Sequence, residues 1–208
     1  MGKIKVSAAF ALAVVSLGAV ALTADFSWSW RNQEVIGRTD ISLNNTSRLT
    51  EPERGTLLDA IVLRLQKPMS ERGYDDERIR EIASTTRLRF LDLGEGRAVI
   101  MATSLGLEGG CDALANCPFW IFRRAKDGYV SLLDTVAASY TIQPTSTNGF
   151  SDLVMLRYLS AGNGRLTLYQ YADGKYAEAG CYTAAWAAPK DSELQEPALA
   201  PCQSEQPK

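Results

Sequence analysis

Apolar residues at helical spacing predict one amphipathic helix in the first third of the chain. Its apolar face consists of Leu57, Leu58, Ile61, Val62 and Leu65. The preceding stretch, Thr50-Glu51-Pro52-Glu53, has the sequence of a capping box with proline in the first turn, so the helix is expected to begin there. Pro68 is expected to end it. A shorter helix is predicted to start at Asp75 or Asp76. Its buried side consists of Ile79, Ile82 and Ala83.

From Arg87 onward the apolar and polar residues alternate, and this alternation predicts β-strands. Strands are predicted at 87–90, 97–102, 119–124, 129–133, 139–143, 152–159, 165–172 and 175–179. Asp127-Gly128 and Asp173-Gly174 are typical hairpin turns, so the neighbouring strands are expected to pair antiparallel.

Two stretches of this β region are similar to each other. Residues 96–101 align with 151–156, and Trp120-Ile121-Phe122 aligns with Leu166-Thr167-Leu168, which makes the two Asp-Gly turns coincide. Each unit contains a strand, a loop, a strand, a turn and a strand. The predicted fold class is therefore α+β, mainly β, with two N-terminal helices followed by an antiparallel meander of two similar three-stranded units.

The N-terminus has the composition of a secretory signal peptide. Lys3 and Lys5 precede an uncharged, mostly apolar run at 6–24, and small residues suit cleavage after Ala21 or Ala24. An uncleaved inner-membrane anchor at 6–24 is the alternative, because the run approaches the roughly 20 residues of a spanning helix. The chain is predicted to be periplasmic or secreted.

The rest of the chain divides into four predicted segments: a flexible polar segment with one short strand at 25–48, a helical segment packed on the sheet at 49–85, a β domain at 86–183 and a proline-rich tail at 184–208. Without residues 1–24 the chain has 20 basic and 24 acidic residues and no basic cluster. Nucleic acid is therefore not an expected partner, and a membrane is one only if the N-terminal segment stays uncleaved.

Four cysteines in an exported chain are expected to form disulfides. Of the three possible pairings, the sequence-local one is preferred, with Cys111 bonded to Cys117 and Cys181 bonded to Cys202. The first bond would close a short loop, and the second would fasten the tail to the last strand. The chain has no C-x-x-C sequence, which argues against a redox pair.

The chain contains no histidine, which excludes Ser-His-Asp and Cys-His catalysis and histidine-ligated metals. Carboxylates are the remaining acid–base groups. Those in or near loops of the β region are Asp92, Glu95, Glu108, Asp112, Asp134 and Asp152. A glycosidase needs two carboxyl groups roughly 5–10 Å apart, and no pair can be placed so from the sequence. We predict no catalytic residue, metal or cofactor.

Three stretches give this chain a resemblance to a group of small exported bacterial proteins of unknown function. They are Asn116-Cys117-Pro118-Phe119-Trp120-Ile121-Phe122, Asp127-Gly128-Tyr129 and Thr147-Asn148-Gly149-Phe150-Ser151-Asp152-Leu153. In that group a Cys-Pro-aromatic strand and an Asn-Gly-x-x-Asp-Leu strand follow a short helical segment. The resemblance implies a compact, mainly β periplasmic domain and transfers no catalytic residue.

Asp92-Leu93-Gly94-Glu95-Gly96-Arg97 more loosely resembles the calcium-loop edge of the FG-GAP repeats of integrin-like propellers. Calcium needs six to eight oxygen ligands, and this loop has too few acidic residues for that pattern. A tight turn between two strands is the preferred interpretation. Two units are also fewer than the four or more blades that a propeller needs.

Aromatic residues are the remaining candidates for a binding site. Tyr169 and Tyr171 share one face of a predicted strand, opposite Leu166 and Leu168, and Trp120 lies in another strand. If the leucine face is core, an exposed aromatic strip could bind a glycan or a protein. Cross-strand aromatic pairs that stabilise the sheet are the alternative.

We therefore predict a secreted or periplasmic non-catalytic protein that binds an envelope protein or a glycan of the cell wall. The first alternative is a periplasmic hydrolase that uses an Asp/Glu pair without histidine. The second is a structural accessory whose Trp28 and Trp30 lie at a membrane surface beside an uncleaved anchor.

Overall fold

The computed structural model describes residues 28, 33–37, 40–94, 96–187 and 196–202. The predicted signal peptide or anchor at 1–24 and its cleavage sites lie outside these residues, as do Trp30 and the loop carboxylate Glu95. Within the described part of the chain, no helix is long and apolar enough to cross a membrane.

Two helices form where the sequence predicts them. Helix α1 spans Glu51–Ser70, and the Thr50 backbone N–H in front of it donates to Glu53 Oε2 at 2.8 Å. Helix α2 spans Asp76–Ser84 and is capped by Asp75, whose carboxylate accepts from Arg78 N. The expectation that Pro68 ends α1 is wrong, because the helix continues to Ser70. A proline this close to a helix end removes one backbone hydrogen bond and leaves little helix to distort.

Eleven strands form two antiparallel sheets among the described residues. In chain order they are β1 Glu34–Val35, β2 Ile41–Ser42, β3 Arg87–Asp92, β4 Ala98–Thr103, β5 Cys117–Ala125, β6 Gly128–Ala137, β7 Ser139–Thr147, β8 Phe150–Ser160, β9 Asn163–Ala172, β10 Lys175–Ala185 and β11 Ala198–Pro201. The five-stranded sheet has the order β2-β3-β4-β5-β6, and the six-stranded sheet has the order β1-β7-β8-β9-β10-β11. The prediction of a mainly β chain with two helices and antiparallel sheets is confirmed.

The five-stranded sheet is buried on both faces. One face packs under the helices, where Trp120 and Phe122 meet the apolar side of α1. The other face packs on the six-stranded sheet, where Phe119 and Ile121 meet Leu153 and neighbouring residues. Four consecutive residues of β5 are therefore buried. The chain forms a sandwich of two sheets with the helices on one outer face.

Four two-residue hairpin loops set the registers of the sheets, and the loop between β8 and β9 consists of Ala161 and Gly162. Asp173 and Gly174 form a turn with φ of +50° and +86°, as a type I′ turn requires, and Asn148-Gly149 forms a second one with φ of +52° and +77°. The hairpin predicted around Asp127-Gly128 also forms, but its loop residues are Lys126 and Asp127, because Gly128 already pairs with Ala125. The two aligned Asp-Gly turns are thus offset by one position.

The two segments aligned as similar units lie in different sheets. Strands β4–β6 belong to the five-stranded sheet, and β8–β10 belong to the six-stranded sheet. Each sheet is a longer meander of consecutive strands, with β3 and β7 continuing the two series. The unit boundaries therefore do not coincide with the sheet boundaries.

The segment predicted as flexible contributes two short strands instead of one. β1 pairs with β7, and β2 pairs with β3. Between them an ion cluster joins the two sheets: Arg89 of β3 donates to Asp40 at 2.7 Å, to Glu34 at 2.9 Å and to the Tyr140 hydroxyl of β7 at 2.7 Å. This cluster holds the start of the described chain against both sheets.

Gly94 provides a test of how the sheets are joined. It has φ of +136°, and a Cβ at this position would collide with the Gly149 carbonyl oxygen of the Asn148-Gly149 turn. Gly96 in the same loop has φ of +77° but nothing near a Cβ. We expect Gly96→Ala to lower the free energy of unfolding by about 1 kcal/mol and Gly94→Ala by more than about 2 kcal/mol. Urea denaturation measures both, and equal losses would contradict the close contact.

Tyr140 predicts a loss of stability at alkaline pH. Burial raises the pKa of Tyr140 to about 12, although the positive charge of Arg89 opposes the shift. The folded state favours the neutral phenol, so this stabilisation is present below about pH 10 and is lost as pH rises towards 12. We expect Tyr140→Phe to flatten the fall in unfolding free energy across this window, by an amount on the order of 2 kcal/mol. The unfolding free energy of each protein is taken relative to its own value at pH 7. An equally steep fall with pH in the variant and in the unmodified protein would contradict the assignment.

Candidate functional site

The structure separates the three aromatic residues proposed as a binding surface. Trp120 is 2% exposed in the helix–sheet core, and Tyr171 is 9% exposed between the sheets, where it stacks on Phe150. The prediction of an exposed aromatic strip is therefore wrong. The physical reason is that the face carrying Tyr171 packs against the five-stranded sheet, while Leu166 and Leu168 are buried on the opposite face.

Tyr169 is half-buried and packs at the border of the core between the two sheets. Its hydroxyl shares a hydrogen bond with Thr135 Oγ1 of β6, at 3.2 Å. The ring borders two cavities, one of about 450 Å³ towards Lys175 and one of about 250 Å³ towards Arg157. These two cavities follow β6 along the open side of the sandwich, and we call them together the β6 cleft.

Strand β6 is the long open edge of the molecule. Ten residues long, it pairs with β5 alone, and none of the described residues forms a backbone hydrogen bond to its other side. The outer strands at the other three edges have two, two and four residues. Natural sheets usually shorten, charge or cover their edges, because an unpaired edge is a template for another strand. β6 instead exposes Val130 and Val136, 44% and 38% respectively.

Part of the β6 edge is already satisfied within the chain. A bulge places Leu132 between the residues that pair with Ile121 and Phe122, and it increases the local twist of the strand. The Ser131 hydroxyl donates to the Leu133 carbonyl oxygen at 3.1 Å. These features leave the stretch after Leu133 as the more regular part of the edge.

Positive side chains predominate in the β6 cleft. Four cations line it, against the two carboxylates of Asp134 and Glu178: they are Arg64, Arg157, Arg165 and Lys175. Arg165 pairs with Glu178 at 2.7 Å. Arg157 lies directly across from Arg165 in the sheet, and its positive charge contributes to lowering the pKa of Asp112. Like charges at opposed positions destabilise a sheet, so this end of the cleft favours an added negative charge.

Asp134 is the one carboxylate at the helix end of the cleft. It accepts a hydrogen bond from Trp120 Nε1 at 3.0 Å, and Arg64 Nε lies 3.6 Å from its other oxygen. Burial raises the pKa of Asp134, while Arg64 and the Trp120 hydrogen bond act in the opposite direction. The carboxylate thus links the helix, the sheet and the edge strand.

The loop carboxylates considered for catalysis are dispersed. Among those that the structure describes, Asp92, Asp112 and Asp134 each line a different cavity. Asp92 accepts from the backbone N–H groups of Gly94 and Gly96, at 3.0 and 3.1 Å, which is the geometry of a tight turn. Glu108 pairs with Arg78, and Asp152 is buried beside Gln170.

Both disulfides form in the predicted pairing, Cys111–Cys117 and Cys181–Cys202. The second closes the tail onto β10, where β11 adds as an edge strand. The first closes a loop that borders the largest of these cavities, an apolar groove of about 680 Å³ with exposed Leu107 at its rim. The pairs indicate folding in an oxidising, extracellular or periplasmic compartment.

The residues that carry the family resemblance have structural contacts. Asn116 is fully buried; its Oδ1 accepts from Tyr158 N at 2.7 Å, and its Nδ2 donates to the Tyr158 carbonyl oxygen at 2.8 Å. Its side chain thereby ties the disulfide loop to β8 of the other sheet. Asn148 sits in a type I′ turn and donates to the Tyr171 carbonyl oxygen at 2.8 Å.

No family model, curated protein or solved structure shows a significant match to this chain. The resemblance to small exported bacterial proteins and to FG-GAP repeats therefore stays a prediction. The class of the molecule is defined by its own geometry, as a disulfide-bonded antiparallel sandwich with two helices on one face.

Reasoning from the sequence found Tyr169 but missed the edge that makes it accessible. Thr135, Val136 and Arg157 carry no local signal, because the position of a strand within a sheet is not encoded in its own residues. The Asp127-Gly128 hairpin indicated where β6 begins. The sequence pattern predicted a strand only at 129–133, which is half of the ten residues of β6.

Asn116→Ala tests the link between the disulfide loop and the second sheet. The variant leaves the backbone N–H and C=O of Tyr158 without their partner in a buried position, so we expect the free energy of unfolding to fall by about 2–3 kcal/mol. Asn163→Ala is the matched control, because Asn163 is exposed and bonds only Ser160; its effect should stay within about 0.5 kcal/mol. A similar urea midpoint for both variants would contradict this role.

Proposed function

We propose that this chain is an exported, non-catalytic binding protein, secreted or periplasmic, whose residues 1–24 direct its export and are removed after Ala21 or Ala24. Two disulfides support an oxidising compartment. The loop carboxylates Asp92, Asp112 and Asp134 line three different cavities, so they do not form the paired site that the hydrolase alternative needs.

The binding mode that we propose is addition of an extended partner segment to β6. The observation that carries it is the open edge of β6, regular after Leu133, with a cavity on either side of Tyr169. A strand added at such an edge forms backbone hydrogen bonds to β6, while alternate side chains enter the neighbouring cavities. Backbone pairing supplies affinity, and the cavities supply selectivity.

The charge of the cleft indicates the chemistry of the partner. Four cations against two carboxylates, and Arg157 opposed to Arg165, favour a segment with acidic side chains. The exposed side chains of Val130 and Val136 favour apolar residues between the acidic residues of the partner segment. The proposed partner is therefore an exported protein with an extended segment that mixes acidic and apolar residues.

We also propose that the two sheets contain a duplicated three-stranded unit, β4–β6 and β8–β10. Both series are consecutive antiparallel strands, and both end in a hairpin with a two-residue loop. On this proposal the Cys111–Cys117 loop is an insertion in the first copy.

A display library of random linear nonapeptides tests the binding mode. We expect enriched peptides to carry Asp or Glu, and the strongest binder to protect the amides of residues 130–136 from hydrogen exchange. Val136→Glu should weaken that binder by about tenfold, the equivalent of one or two backbone hydrogen bonds, because a charged side chain discourages pairing at an edge and a carboxylate repels an acidic segment.

The matched control is Val35→Glu. Val35 is similarly exposed, at 45%, but lies in β1 of the other sheet. The affinity of the Val35→Glu variant for the same peptide should equal that of the unmodified protein. Protection confined to residues outside β6, or equal effects of the two glutamate variants, would overturn strand addition.

A further inference from the structure

A further cavity lies on the helix side of the five-stranded sheet, beyond the start of α1. Its volume is about 490 Å³, and it is separate from the β6 cleft. The floor consists of apolar side chains of β3 and β4: Phe90, Ala98 and Ile100. Ala98 is exposed, so the helices leave this part of the sheet uncovered. The cavity therefore offers an apolar surface that the fold itself does not fill.

Two arginines stand at the rim of this apolar floor. The guanidinium of Arg48 lies over the Phe90 ring, 4.3 Å from its centroid, and no described carboxylate is within ion-pair distance of it. Arg124 pairs with Glu53 of α1 and keeps most of its side chain exposed. Arg48 is thus a cation pre-positioned by stacking, with its charge available to a ligand.

Among the described residues, Asp92 is the one carboxylate that lines this cavity, and it does not neutralise the charge of Arg48. Asp92 uses one oxygen for Gly94 N and the other for Gly96 N. Backbone N–H groups therefore already stabilise its negative charge. An anion at the Arg48 end of the cavity would meet a cation, an aromatic ring and an apolar floor.

Tyr129 adds an unsatisfied donor to the same cavity. Its hydroxyl is buried and has no hydrogen bond of ordinary geometry among the described residues, although the nearby Arg124 guanidinium opposes the effect of burial on its pKa. Burial raises the pKa of Tyr129, so the hydroxyl keeps its proton. A buried hydroxyl without a partner costs free energy, and an acceptor that enters the cavity would recover it.

We infer that this cavity binds a small amphipathic anion, a carboxylate or sulfonate attached to a flat apolar group. The apolar part would lie on Phe90 and Ile100, and the anionic group would accept hydrogen bonds from Arg48 and Tyr129. This inference goes beyond strand addition and is independent of it, because the two sites share no lining residue.

The test uses 8-anilinonaphthalene-1-sulfonate, a fluorescent aromatic sulfonate, and N-phenyl-1-naphthylamine, its neutral counterpart. We expect the sulfonate to bind with a stoichiometry of one and at least about tenfold more tightly than the neutral amine, because the charged group supplies the additional hydrogen bonds. Naphthalene-1-carboxylate should compete, and inorganic phosphate should not.

Two variants locate the probe. Arg48→Gln should raise the Kd of the sulfonate at least about fivefold and leave that of the amine unchanged. Tyr129→Phe should raise the Kd of the sulfonate about threefold and change the melting temperature little, because the hydroxyl has no hydrogen bond of ordinary geometry within the described chain.

The controls are Arg80→Gln and Tyr74→Phe. Arg80 is a surface arginine of α2 paired with Asp59, and Tyr74 is a half-buried tyrosine of the same helix–sheet core. Both should keep the Kd of the unmodified protein. Absence of sulfonate binding, equal binding of the two dyes, or equal effects of variants and controls would each overturn the inference.

Discussion

The fold depends on one constraint, which is that the five-stranded sheet must bury both of its faces. Four consecutive residues of β5, Phe119 to Phe122, point alternately towards the helices and towards the second sheet, and all are buried. A strand of this composition is unstable on a one-sided sheet, since two of the four large side chains would face water. The helices and the six-stranded sheet are therefore both required, and neither can be replaced by solvent.

This arrangement determines where the molecule is open. Packing covers most of the faces of the two sheets, so edges and uncovered sheet ends remain for contacts with other molecules. Three edges end in strands of two to four residues, whereas β6 runs for ten residues beside the gap between the sheets. The arginine cavity arises in a comparable way, because α1 begins only after Leu49 and leaves the ends of β3 and β4 uncovered. Both proposed sites thus lie where other segments of the chain leave the sheets uncovered, and neither needs an additional domain.

Polar side chains inside the fold act mainly as ties between elements. Arg89 joins the start of the described chain to both sheets, Asn116 joins the disulfide loop to β8, and Asp134 joins the edge strand to Trp120 and α1. Such ties are strong where they are buried and fully paired. Two polar groups beside the proposed sites are less well paired: the Tyr129 hydroxyl has no hydrogen bond of ordinary geometry among the described residues, and Arg157 faces the like charge of Arg165.

The sequence by itself determined the local features. Helix α1 with its cap, most of the strand segments, the two Asp-Gly hairpins and both disulfide pairs could be predicted, because each depends on residues close together in the chain. The sequence could not show which face of a strand is buried: Tyr171 and Trp120 were expected at a surface and are buried. The tertiary structure alone decided which face of each strand meets another layer, that β6 is an edge, and that Arg48 and Tyr129 share a cavity. The physical reason is that burial and edge position depend on the surfaces that other segments supply, and these contacts join residues far apart in the chain.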